Sequence, residues 1–284
     1  TILDFNIAPK AISLSVGVNS INEKTGTTTT SVTVTLDKIS EKPVNVTLIP
    51  TGSATRTADY TLPLLIQVPP KTLSASVTLA AVNDDPLDEF DEQVIIDMSC
   101  DDTCTEDGEL KQTVALVDQT DLPTVTLTVG ATTINEKTGA TATQVIGTLS
   151  AVSAKPITVT LATSGTATEI SGGTPITASD YTLTHTISIP VLTQSVSVTL
   201  TALADDPLDE ATETVIIDID TVTNVLELGG TSGQQKTVNI NDETALPTIT
   251  LSVGSNIINE KNGTTSTPVT ATLNNVSAKV VTVT

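Results

Sequence analysis

Carboxylates recur in this sequence in blocks, and the blocks repeat. NDDPLDEFDEQVIID (residues 83–97) returns as ADDPLDEATETVIID (204–218), and ADYTL (58–62) returns as SDYTL (179–183). SINEKTG (20–26), TINEKTG (133–139) and IINEKNG (257–263) form a third set. An Asp followed five residues later by Pro forms a fourth, at Asp4, Asp118 and Asp242. Asp59 and Asp84 are 25 positions apart, and so are Asp180 and Asp205. Such spacing marks tandem duplication. The first repeat thus offers Glu23, Asp59, Asp84, Asp85, Glu89 and Asp118, and the second offers Glu136, Asp180, Asp205, Asp206, Glu210 and Asp242.

Six carboxylates brought to one place repel one another. At an effective dielectric near 20, each close pair costs on the order of a few kcal/mol. Calcium suits such a set, because it takes about six to eight oxygen ligands in flexible geometry and needs neither His nor Cys. With one His in the chain, a zinc or copper site is a poor fit to the residues present. The plainer alternative stays open: the acids are solvated loop residues, with Asp59 and Asp180 closing Asx-turns. Asp88, Asp91 and Asp209 are expected to be solvated charge, while Glu92 and Glu213 are left between solvent and a supporting place behind the ligands.

The elements that must carry these residues read as strands. Val32, Val34 and Leu36 alternate with Ser31, Thr33 and Thr35, and the same period of two holds at Val44, Val46, Leu48, at Val125, Leu127, Val129, and at Val196, Val198, Leu200. Each repeat holds about seven such segments, as an Ig-like sandwich does. Aromatics make up 1% of the chain and Trp is absent, so the cores must be built from Val, Ile, Leu and Ala. The expected fold is all-β: Ig-like β-sandwich domains in a linear array. The repeat frame gives residues 1–9 as the last strand of a preceding repeat, 10–122 as repeat 1, 123–246 as repeat 2, and 247–284 as the first strands of a truncated third. On this reading the natural protein continues in both directions.

A Glu after the first strand, an Asp-Tyr preceded by a Thr-Ala motif (SATRTADY; GTATEISGGTPITASDY), a DD-x-x-x-E-x-x-E block before an apolar strand and a closing Asp together resemble the Calx-beta domain. That family is an Ig-like sandwich of sodium–calcium exchanger regulatory domains, an integrin beta subunit and many bacterial surface and adhesin repeats. The resemblance implies a calcium site in each repeat, with the acids named above as ligands and the backbone carbonyls of Leu87 and Leu208 joining them. It assigns Asp4 and Glu260 to incomplete sites. Family members with the strongest sites close on several consecutive Asp; here the chain reads VDQTD and NDET, where Asp121 or Glu243 would have to substitute.

Cys100 and Cys104 are the only cysteines and have no counterpart in repeat 2; a local disulfide is expected, in keeping with an oxidising compartment. His185 sits in a strand pattern and is expected to face solvent, and Tyr60 and Tyr181 to lie in the core or at a corner. No Ser, His and Asp set and no Gly-rich phosphate loop recurs, so no enzymatic activity is expected. A net charge of −21 argues against nucleic acid or an anionic membrane surface as partner, and favours cations. The apolar runs are too short to insert in a bilayer, which takes about 20 residues. The expected partners are calcium ions and neighbouring repeats of the same chain or fibre. The expected role is that of a structural or adhesive module of a secreted or cell-surface fibre, bacterial in style, rigidified by calcium where repeats join. The alternative is a calcium-sensing regulatory domain on a larger membrane protein.

Overall fold

The computed structural model describes residues 10–83, 87–100, 104–106, 111–170, 179–204, 209–229, 234–263 and 265–284. It divides into two compact units, one of residues 1–122 with Val152–Lys155, the other of 123–151 with 156–284. Among the described residues there is no helix long and apolar enough to cross a membrane.

Among the described residues the first unit holds ten strands: β1 (Lys10–Val16), β2 (Ser20–Asn22), β3 (Thr29–Leu36), β4 (Val44–Gly52), β5 (Tyr60–Thr61), β6 (Leu65–Val68), β7 (Ser74–Ala81), β8 (Glu92–Cys100), β9 (Cys104–Glu106) and β10 (Gln112–Val117). They form two five-stranded sheets, ordered β5-β7-β3-β1-β9 and β2-β10-β8-β4-β6. Alternation decides which face is inward: Val32, Val34 and Leu36 from one sheet meet Val46, Leu48, Val94 and Ile96 from the other in a single core. Burying a Val, Leu or Ile side chain fully is worth about 1.5–3 kcal/mol, so a core without large rings draws its stability from many modest contributions. The Cys100–Cys104 disulfide ties the end of β8 to the start of β9.

The second unit repeats this plan with β11 (Thr124–Val129), β12 (Thr133–Asn135), β13 (Ala142–Leu149), β14 (Ile157–Gly165), β15 (Tyr181–Leu183), β16 (Thr186–Ile189), β17 (Ser195–Ala202), β18 (Glu213–Thr223), β19 (Leu226–Glu227) and β20 (Lys236–Asn241). The sheet orders are β15-β17-β13-β11-β19 and β12-β20-β18-β14-β16, the same as in the first unit. Each set is an Ig-like sandwich, so the chain is all-β. From the third repeat come β21 (Ile249–Val253) and β22 (Val269–Leu273), which pair as a two-stranded sheet with Leu251 and Val253 exposed.

Tyr60 and Tyr181 are buried at the starts of β5 and β15. His185 differs from the expectation of a solvent-facing side chain. It lies in the turn between β15 and β16, with Nδ1 2.9 Å from the Leu161 carbonyl and Nε2 2.8 Å from Glu169. Alternation predicts which way a strand residue points, and His185 is not in a strand.

Candidate metal centre

Register brings the described acids of each unit to one end. In the first, β2 runs parallel to β10 with Asn22 opposite Val117, so Glu23 and Asp118 leave their strands side by side. β8 runs antiparallel to β10 with Glu92 opposite Leu116, which starts β8 at that same end. Asp59 immediately precedes β5, whose Tyr60 pairs with Ala81 at the end of β7. The second unit repeats each step through Asn135 opposite Asn241, Glu213 opposite Ile240 and Tyr181 opposite Ala202.

Close backbone approach fixes the loop that carries the central Asp. Gly52 (φ +123°) and Gly165 (φ +120°) end β4 and β14, and a Cβ on either would lie 2.1 Å from the carbonyl oxygen of Gln93 or Thr214. Only glycine fits there. Past it, the Ala54 N–H donates to the Gln93 carbonyl and the Ala167 N–H to that of Thr214. The carboxylate of Asp59 then accepts the Thr55 N–H, and that of Asp180 accepts the Thr168 N–H. The Thr-Ala motif thus holds each Asp against the Glu that opens the following long strand.

In the second unit one carboxylate oxygen from each of Asp180, Glu210 and Glu213 lies within 4.8 Å of the others. Ligands on opposite sides of a calcium ion, each about 2.3–2.6 Å from it, are separated by about that much. Glu213 is pushed up to about 8, first by burial and then by its hydrogen bond to Asp180 and the charges of Asp180, Glu210 and Glu136. In the first unit Glu92 is pushed up to about 7 by burial, then by Asp59, Glu89 and Glu23. Its Oε2 is buried with no hydrogen-bond partner among the described residues. A buried carboxylate oxygen left in this way is costly, and a hard cation satisfies it. The donors are all oxygen, in keeping with calcium. Glu92 and Glu213 therefore stand at the centre of the cluster, a place the sequence left undecided.

Glu23, Asp59, Glu136 and Asp180 are buried, and Glu89, Asp118, Glu210 and Asp242 are half-buried. Leu87 is half-buried beside Asp88. Asp4, Asp84, Asp85, Asp205, Asp206 and Leu208 lie outside the described residues. Glu260 is exposed on the third repeat, apart from any described cluster. The closing aspartates act through the backbone: Asp118 accepts the N–H groups of Glu89 (2.9 Å) and Thr120 (2.7 Å), and Asp242 those of Glu210 (2.8 Å) and Thr244 (2.6 Å).

Glu243 is engaged elsewhere than in the cluster. Its carboxylate accepts the N–H groups of Lys137 and Thr138 and the Thr138 hydroxyl, and these bonds hold it below the usual carboxylate range. Gln119 occupies the same place in repeat 1 and accepts the Lys24 and Thr25 N–H groups without a charge. The position clasps the NEKT turn, a task an amide performs as well as a carboxylate.

Asp88 and Asp209 overturn the expectation of solvated charge. They are 1% and 2% exposed. The Asp88 carboxylate accepts the Ser153 hydroxyl (2.6 Å) and the Lys155 ammonium (2.6 Å), and the same ammonium stands 3.6 Å from Asp118. Asp209 takes Ser277 (2.8 Å) and Lys279 (2.6 Å) alike, with Lys279 3.8 Å from Asp242. Burial of these charges is possible because each is paired and hydrogen-bonded. The signal in the sequence is a Ser-x-Lys that recurs at residues 40–42, 153–155 and 277–279. Asp91, by contrast, is exposed.

No family model matches the chain, and no curated protein does. Among solved structures, the chain is similar to CBD12 from CALX1.2, at 14% identity and a TM-score of 0.33 over 75% of this chain and 80% of that one. The calcium binding domain CBD12 of CALX1.1 gives 12% identity and 0.33 over 78% and 96%. The E. coli chaperone DraB gives 13% identity and 0.26 over 81% and 98%. Likeness at this level carries no argument about the site.

Proposed function

We propose that the chain is a calcium-binding structural module of tandem repeats, in which the ion gathers the loops at the acidic end of each sandwich. The convergence of Asp180, Glu210 and Glu213 on one point carries this reading, and the raised Glu92 and Glu213 support it. Calcium would be held by Glu23, Asp59, Glu89 and Glu92 in repeat 1 and by Glu136, Asp180, Glu210 and Glu213 in repeat 2. The double Asp of each block, Asp84 with Asp85 and Asp205 with Asp206, would complete the shells. Neutralising these clusters would remove the repulsion that sets the loops apart and stiffen the chain of repeats. A chain of net charge −21 built from such repeats suits an extracellular or cell-surface fibre, with no enzymatic role.

Isothermal titration of the chelator-treated chain with calcium tests the binding. At least two sites are expected, and Asp180→Asn with Glu213→Gln should remove those of repeat 2 while leaving those of repeat 1. Small-angle scattering tests the stiffening, as a larger radius of gyration with calcium than with chelator. Titration without heat or saturation contradicts the reading.

A further inference from the structure

We propose that the Ser40–Lys42 turn of the first repeat is a docking site for the aspartate of an Asp-Asp-Pro-Leu-Asp block on another repeat of this kind. Two cradles of this kind are filled. At Asp88 the Ser153 hydroxyl and the Lys155 ammonium grip the carboxylate, and the Ala154 N–H donates to the Asp88 carbonyl at 2.9 Å. At Asp209 the Ser277 hydroxyl, the Lys279 ammonium and the Ala278 N–H, again at 2.9 Å, do the same. Both contacts include a parallel β-bridge, Asp88 with Ser153 and Asp209 with Ser277. Three donors from three consecutive residues make a cradle for one aspartate.

The third example has the cradle without the aspartate. Ser40, Glu41 and Lys42 have the same turn, in which the Lys N–H donates to the Ser hydroxyl: 3.2 Å here, 3.0 Å at Lys155 and 3.1 Å at Lys279. Ser40 is buried and Lys42 exposed, and among the described residues Lys42 forms no ion pair. On a chain of net charge −21, a free ammonium beside a preformed hydroxyl and N–H is complementary to an acidic turn. The occupant the filled examples specify is a repeat bearing the block, supplied by a second copy of this chain's own repeat. Glu41, where the filled cradles have Ala, is exposed and lies 3.7 Å from Lys71, out of the way of the three donors.

The test joins a second copy of residues 123–246 directly ahead of Pro9 of the full chain and follows lysine acylation by mass spectrometry, in chelator so that calcium plays no part. The ion pair with the aspartate favours the charged ammonium and so lowers the fraction of free amine, and the docked repeat shields the nitrogen from the reagent, so Lys42 should react at least about threefold more slowly than in the unextended chain. Asp209→Asn in the added copy alone should restore the faster rate. Lys279, which the added copy lacks and which pairs with Asp209 of the original chain, reports in the same sample that the fold is intact. Equal Lys42 rates with and without the added repeat, while the Lys279 rate is unchanged, would overturn the proposal.

Discussion

Glu92 and Glu213 hold most of the chemistry at the residue scale, because each is a carboxylate surrounded by carboxylates. An acid whose folded pKa is raised binds its proton more tightly folded than unfolded. Its contribution to stability is complete below the ordinary value of 4.5 and is lost as pH rises through about 7 for Glu92 and about 8 for Glu213. In chelator, urea denaturation should therefore show stability falling between pH 5 and pH 9. Glu92→Gln with Glu213→Gln should flatten that fall and leave the chain more stable than its parent at pH 9. In calcium the same double variant should be less stable than the parent. Glu243 and Gln119 give the converse case: Glu243→Gln should leave the calcium response unchanged, since Gln119 already accepts the corresponding N–H groups uncharged.

At the scale of elements, two features position the cluster. Gly165→Ala forces a Cβ into the Thr214 carbonyl at a φ that L residues avoid, next to Glu213. It should cost more than about 1–3 kcal/mol by denaturant unfolding and weaken calcium binding as well. The Ser-x-Lys cradle is the other. Asp88→Ala strands Lys155, whose side chain is 13% exposed, and should cost about 3 kcal/mol; Asp209→Ala leaves Lys279, whose side chain is 41% exposed, and should cost clearly less. The long strands were legible in the sequence because Val and Leu alternate with Ser and Thr in β3 and β17. The seven strands expected per repeat become ten among the described residues because β2, β5 and β9 are three residues or fewer, too short for alternation to show. The acidic blocks stood out as candidates through their repetition; which of them meet was not legible. What decided between Glu92 and its neighbours, and buried Asp88, was register and the Lys of a distant turn, neither of which a local pattern contains.

At the scale of the whole molecule, each sandwich carries mutually repelling charges at one end, a repulsion that calcium, on the proposed function, would relieve. An ion at a hundred times its dissociation constant adds about 2.7 kcal/mol per site. For units of this size each kcal/mol moves the melting temperature by roughly 2–8 °C. The most direct test is the melting temperature of the full chain in calcium and in chelator, beside a variant carrying Asp59→Asn, Glu92→Gln, Asp180→Asn and Glu213→Gln. The account predicts that calcium raises the parent's melting temperature by several degrees and leaves the variant's unchanged. A parent that melts at the same temperature in calcium and in chelator would contradict it.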